Sequence, residues 1–255
     1  MTIYNEEEII HLREGGKRLA AVLDVVENMV APGVTTAELN ARAEELIRAG
    51  GDVPAFLNYR PEGAPTPYPA SLCVSVNDEI VHGIPGTRVI EDGDIVGIDL
   101  GLVHNGLFVD SARTVIAGEV SDEIKALVKA TERALYAGID AARGGSRIGD
   151  IGHAIEAVAK EGGFGVPEEL TGHGVGHHVH EDPYVPNWGN PGTGGLLKPG
   201  LVLALEPMFN IGSEKILLDT DGHTFKTRDG SVSAHFEHTI VITDGAPEIL
   251  TQSTR

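Results

Sequence analysis

The dipeptide Asn105-Gly106 divides two apolar runs, residues 94–103 and 107–116. Asparagine-glycine between such runs is the strongest two-residue hairpin signal, because both turn positions need a left-handed backbone that these residues tolerate. A two-residue loop here fixes the register: Gly101 stands opposite Asp110, and Asp99 lies two residues from Gly101 on the same face. Asp99 and Asp110 become diagonal neighbours, with Cβ atoms roughly 7 to 8 Å apart or somewhat less. A bound metal can span that separation, and Gly101 is expected to leave open space above the sheet. The residues around the two acids are Ile95, Val96, Ile98, Leu100 and Leu102. Two carboxylates in such a run are costly to bury unpaired and need either a counter-ion or solvent.

Two later acids stand in the same kind of setting. Glu206 follows Leu201-Val202-Leu203-Ala204-Leu205, and Glu237 precedes His238-Thr239-Ile240-Val241-Ile242. An edge strand facing water would account for any one of the four. It is a poorer account of all of them, since no four lysines or arginines occupy comparable places. Spacing also relates the acids: Gly93 and Asp99 are matched by Gly200 and Glu206, each 107 residues on, while Asp110 and Glu237 are 127 apart.

The order of elements repeats as well. Asn5 before three glutamates opens a helix that ends at Ala31-Pro32-Gly33, and Thr35 with Glu38 forms a capping box for a second, stopped by Gly50-Gly51. A third runs from the Ser121 cap to Ala142 and a fourth spans 150–160. Strand signals cover 71–76, 80–83 and the hairpin in the first part, then 201–209, 215–218, 223–226 and 231–242. Between them, residues 58–69 carry Pro61, Pro65, Pro67 and Pro69, which make an extended, partly rigid loop. This pattern predicts an α+β chain, a single catalytic domain over 1–255 built from two pseudo-symmetric helix-helix-strand halves, 1–117 and 118–255. Each half would donate carboxylates to a shared crevice.

Asp and Glu outnumber Lys and Arg 38 to 19, for a net charge of −19. That balance argues against a nucleic-acid backbone or an anionic membrane surface as the main partner, and most of the surplus reads as surface solubility. No apolar run approaches the roughly 20 residues of a membrane span. Residues 1–8 are acidic where a secretory signal is basic, and the single cysteine, Cys73, cannot pair within the chain. The cytosol is the expected compartment.

The run Gly172-His173-Gly174-Val175-Gly176-His177-His178-Val179-His180-Glu181-Asp182-Pro183 supplies nitrogen ligands or, more plainly, surface histidines of a polar loop. Its glycines and proline exclude a helix, and Tyr184 stands where the second histidine of His-Glu-x-x-His would fall. Extended or turning backbone is expected to send His173 and His180 to different places. One imidazole and four carboxylates form an oxygen-rich set that favours Mn²⁺, Fe²⁺ or Co²⁺ and tolerates Zn²⁺. Five such side chains suit two metals roughly 3.5 to 4 Å apart. Other chemistries find little support: no phosphate-cradling loop is present, and Gly144-Gly145-Ser146-Arg147-Ile148 lacks the last glycine of a nucleophile elbow.

Cys73-Val74-Ser75-Val76-Asn77 leading to His82-Gly83-Ile84-Pro85, then Asp92-Gly93-Asp94-Ile95-Val96, Gly172-His173-Gly174-Val175-Gly176, Glu206-Pro207-Met208 and Glu237-His238-Thr239 follow one another over nearly the whole chain. Together they resemble the type I methionine aminopeptidase family. The resemblance implies the compact pita-bread fold, with an antiparallel sheet and helices on its outer face. It implies that Asp99, Asp110, His173, Glu206 and Glu237 hold two divalent metal ions (Co, Mn, Fe(II) or Zn), with Asp110 and Glu237 bridging and Asp99 belonging to the second ion. His82 would contact the substrate near the scissile amide, and His180 would hydrogen-bond its carbonyl or the oxyanion. Tyr68 and Cys73 would help form the methionine pocket. A metal-bound hydroxide would attack the first peptide bond, with Glu206 as proton shuttle. The implied substrates are N-termini of nascent polypeptides with a small second residue, met near the ribosome by a monomeric cytoplasmic enzyme without nucleic-acid or membrane partners.

His223, Leu107-Phe108-Val109, His177, His235 and the proline-rich loop depart from the family's usual pattern and bear on the pocket's shape. Three alternatives are weaker. Aminopeptidase P and prolidase carry a further N-terminal domain, for which 255 residues are expected to leave no room. A metal-free binding module would lack ligands, and a calcium-binding structural protein would not require the histidines.

Overall fold

The computed structural model describes residues 1–60 and 66–253. Pro61 and Pro65 of the proline-rich loop therefore lie outside the described residues, whereas Pro67 and Pro69 lie within them. The chain opens with α1 (Glu6–Met29), where Asn5 accepts from the Glu8 amide and Glu8 accepts from the Asn5 amide. The same reciprocal cap, made by Thr35 and Glu38, starts α2 (Thr36–Ala49). Short strands β1 (Val53–Pro54), β2 (Leu72–Val76) and β3 (Glu79–Val81) lead to the long hairpin of β4 (Asp94–His104) and β5 (Leu107–Ala117). Asn105 and Gly106 turn it at φ 49° and 81°, and Gly101 pairs with Asp110 and Asp99 with Ala112. The register follows from that two-residue turn.

Next come α3 (Asp122–Ala141), capped by Ser121, and α4 (Ile148–Gly162). The fourth helix starts two residues earlier than its expected start at Asp150, because the Asp150 carboxylate accepts from the Arg147 amide at 2.7 Å and caps the helix from inside. The remaining strands are β6 (Thr171–Gly174), β7 (Glu181–Pro186), β8 (Val202–Leu205), β9 (Met208–Asn210), β10 (Ile216–Leu218), β11 (Phe225–Thr227), β12 (Ser233–His235), β13 (His238–Val241) and β14 (Glu248–Ile249). Two expected strands, 201–209 and 231–242, are each broken. At Glu206-Pro207 the chain leaves the β14-β13-β8-β6-β7 sheet for the β12-β9 pair, and at Phe236-Glu237 it crosses back. Pro207 has no amide to give a ladder, so a break there costs nothing.

All strand pairs are antiparallel. β5 runs along one edge of β4 while β2 and β1 pair end to end along the other, and β3 joins β10 and β11 in a small sheet. The two large sheets meet where Ala112 and Glu237 exchange main-chain bonds of 2.9 and 3.3 Å. Thr239 and Thr114 extend this seam: each hydroxyl links to the backbone across it, Thr239 at Asp110 and Thr114 at His235.

Two apolar clusters set which way each face points. Val96, Ile98, Leu100 and Leu102 pack with Leu12, Leu19 and Leu23 of α1 and with Leu39 and Ile47 of α2. Leu127, Leu135 and Ile139 of α3 pack with Ile151 and Ile155 of α4 and with Leu203, Leu205, Phe209 and Ile240. Each such side chain contributes about 2 kcal/mol when fully buried, so alternation along β4 commits the even positions to the helices. Asp99 and Gly101 are thereby turned to the opposite face. Among the described residues no helix is long and apolar enough to cross a membrane.

Candidate metal centre

Asp110, His173 and Glu237 each offer a ligand atom such that all three atoms lie within 4.8 Å of one another, and all three residues are buried. They arrive from β5, from β6 and from the β12–β13 break. Glu206, at the β8–β9 break, brings Oε1 to 3.3 Å from His173 Nε2. The Asp99 carboxyl is close enough to that of Asp110 for each to shift the other's protonation, and both line one cavity with Glu206. The five residues named from sequence thus form one contiguous group on the helix-free side of the sheets.

Burial first, and then Asp110 and Glu206, push the Asp99 carboxyl well above the usual range. Glu237 is raised by burial, Asp110, Glu206 and Asp99, and Glu206 by burial and Asp110. Asp110 reaches about 7, burial outweighing the Ser111 amide that favours its charged form. The imidazoles move oppositely. His173 falls to about 3 through burial and its neighbour His180, and His82 to about 4 through burial, His180 and His223. These rings are neutral near pH 7, with a lone pair free to bind a cation.

The fit to a divalent metal rests on the donors themselves. Asp99 Oδ1 and Asp110 Oδ1 are buried without a hydrogen-bond partner. Among the described residues the only basic side chains within ion-pair distance of the four acids are His173 and His235, both beside Glu206 and both neutral near pH 7. Buried carboxylates without a cationic side chain are stable only with protons or an external cation. The His173 Nδ1–H donates to the Gly174 carbonyl at 2.9 Å, leaving the Nε2 lone pair toward Glu206. This is the tautomer a metal-binding histidine needs.

A cavity of about 70 Å³ adjoins the group, several times the space one water takes. His82, His180, Tyr68 and Cys73 all line it, with Phe56, Tyr59 and His223. His82 is held at φ 60°, a left-handed conformation that costs a non-glycine residue roughly 1 to 2 kcal/mol. Cys73 sits opposite Asp99 in the β2–β4 ladder and lines the cavity, and burial followed by the Asp99 charge pushes its thiol far up, which disfavours the thiolate. Tyr68 donates to the Gly83 carbonyl at 2.8 Å.

Two expectations are overturned. His173 and His180 are not sent apart: their rings meet edge to face with centroids 4.5 Å apart. Residues 175–180 double back so that β7 pairs with β6, setting Gly174 opposite Glu181. Gly101 does not open space either, since a Cβ there would fall 2.9 Å from the Ala55 Cβ and 2.8 Å from the Phe56 ring. The glycine admits the chain from β1 instead. Sequence reading also missed Phe56 and Tyr59, because an aromatic just before or at the start of a proline-rich loop carries no local signal of what it will face. His235, noted only as unusual, places Nε2 3.6 Å from Glu206 Oε2.

The model of metallopeptidase family M24 matches residues 11–244. The methionine aminopeptidase of Clostridium acetobutylicum is 42% identical over 250 residues, 98% of each chain. The crystal structure of a methionine aminopeptidase from Thermotoga maritima is 40% identical, covers 99% of this chain and all of its own, and superposes with a TM-score of 0.95. A prolidase from Pyrococcus furiosus, 22% identical, shares the fold at a TM-score of 0.78, but the match covers only 66% of that chain. The architecture is the pita-bread fold common to these enzymes. The chain belongs to metallopeptidase family M24.

Proposed function

We propose that this chain is a methionine aminopeptidase, removing the N-terminal methionine from nascent polypeptides whose second residue is small. The observation that carries the reading is the convergence of Asp110, His173 and Glu237 donor atoms within 4.8 Å beside a cavity walled by Tyr68, Cys73 and His82. A single domain made of two halves, 1–117 and 118–255, would contribute Asp99 and Asp110 from one and His173, Glu206 and Glu237 from the other.

Family membership implies a divalent metal. We assign Asp99, Asp110, His173, Glu206 and Glu237 as its ligands, in a two-ion site for Co, Mn, Fe(II) or Zn. Such ions would make water acidic near neutral pH and polarise a carbonyl. The residues around them then divide the remaining work. Tyr68 and Cys73 exclude water from the methionine side chain. His82 contacts the peptide near the scissile amide. His180, at the cavity mouth, donates to the oxygen that gains charge, a contact worth most near the transition state. The Glu206 carboxylate, ionised once it faces a cation, would take the proton that the attacking water gives up and pass it to the leaving amine. Acidic surroundings also suit the free ammonium that a blocked terminus lacks. The compartment would be the cytoplasm, the setting near the ribosome and the working state a monomer.

Chelated protein should be inactive on a Met-Ala peptide and regain turnover with Co²⁺ or Mn²⁺. Equal turnover after verified metal removal would refute the assignment.

A further inference from the structure

The structure assigns Tyr59 as a positioning residue that holds His180 in the tautomer able to donate into the active site. The inference rests on the proposed function, which places His180 against the substrate.

Tyr59 Oη lies 2.8 Å from His180 Nδ1, with the rings tilted at 60° and their centroids 5.3 Å apart. A neutral imidazole carries one N–H, so this contact can run either way. A phenol O–H is the stronger donor of the pair, and an imidazole nitrogen the stronger acceptor. The favoured arrangement therefore has Tyr59 donating to Nδ1, which leaves the proton on Nε2. His173, in edge contact with the same ring, is set in the opposite sense, because the Gly174 carbonyl takes its Nδ1 proton. Two adjacent imidazoles thus acquire different tasks from their outer partners. One presents a lone pair to a cation, the other an N–H to an oxygen that gains negative charge.

The placement of Tyr59 does not depend on residues 61–65. Its carbonyl accepts from the Tyr68 amide at 2.8 Å, the Asn58 amide donates back to the Tyr68 carbonyl at 2.9 Å, and its own amide donates to Phe56. Asn58 takes φ 67° to close this pinch. The base of the proline-rich loop is therefore stapled, and Tyr59 and Tyr68 both line the cavity from it. Thr66 adds a hydrogen bond of 3.1 Å to His223.

The test uses full-length zinc-loaded protein with ¹⁵N-labelled histidine, at pH 8. In the unsubstituted protein the His180 ring nitrogens should show an unprotonated Nδ1 and a protonated Nε2. Tyr59→Phe should draw the two shifts together and lower kcat on a Met-Ala peptide about tenfold, the lower range for partners that orient a catalytic-centre histidine. KM should stay within about twofold and bound zinc unchanged, a split that general damage to the loop would not produce. His180→Ala should lose more turnover than Tyr59→Phe. A protonated Nδ1 in the unsubstituted protein overturns the inference, as does a Tyr59→Phe variant whose shifts and kcat are unaltered. If the unsubstituted protein cleaves no Met-Ala peptide, the proposed function fails, and the nitrogen shifts alone decide the tautomer.

Discussion

Asp110 and Arg113 stand three residues apart on β5 and so face opposite ways, and each face buries acids differently. On the helix side, Asp24 and Glu27 of α1 are met by Arg113, whose Nη1 lies 2.7 Å from Asp24 Oδ1 and 2.5 Å from Glu27 Oε2. On the other side, Asp99, Asp110, Glu206 and Glu237 gather around neutral histidines. The strand can evidently carry a cation next to a buried acid where structure alone is served. Where it carries none, the acids keep protons or take an ion from solution. Burial of charge is common to both regions; the supply of countercharge separates a structural cluster from a binding one.

The comparison breaks most visibly at Asp110. Asp110→Asn should weaken divalent-ion binding by more than the roughly 100-fold upper range of outer-shell substitutions, and turnover of a Met-Ala peptide should vanish with it. Its metal-free form should melt no lower than the parent, because an amide there removes a buried charge. A large drop in metal-free stability with metal affinity intact would make the two faces alike. Next in size, Arg113→Met should remove the cation that Asp24 and Glu27 share, while the Ser253 hydrogen bond to Asp24 stays, and destabilise the fold by about 3 kcal/mol in denaturant titration. Ion stoichiometry and turnover per folded molecule should not change. Loss of ion binding in that variant would mean that the helix side serves the site as well.

The smallest effect is the pH response. The Asp110 pKa is raised to about 7 from an ordinary value of 3.8. Its contribution to metal-free stability is present in full below the ordinary value and is lost as pH rises through about 7. Bound ions reverse this, since they replace the proton. Ion affinity should therefore increase from pH 6 to 8, and calorimetry in buffers of different ionisation heat should show proton release on binding. Binding without proton release would place these acids in the charged state before the ion arrives and remove the contrast with Asp24.

Much of the fold could be read locally. The caps at Asn5, Thr35 and Ser121 and the Asn105-Gly106 turn operate within a few residues, so their sterics and hydrogen bonds are the same in the chain and in the fold. The cap at Arg147 was missed because its donor and acceptor are an ordinary amide and a helix residue, Asp150. The acids were noticed for being out of place in apolar runs. For Glu206 and Glu237 the reason proved different from the one expected: each sits where a strand changes sheets, not within a strand. The His-rich run misled about His180, because glycines permit many paths and pairing of β7 with β6 selects one.

The amino-acid sequence by itself determined the helix starts, the hairpin register, the shared face of Asp99 and Asp110, and the excess of buried acid over nearby base. Turn sterics and the alternation of a strand settle those within about ten residues. Only the tertiary structure decided that Asp110 meets Glu237, that Phe56 occupies the space over Gly101, and that Tyr59 reaches His180. Those pairs lie far apart along the chain, and no local preference selects them. They follow from burying two apolar clusters at once, which locks the sheets at Ala112 and Glu237 and leaves each side chain one place to go.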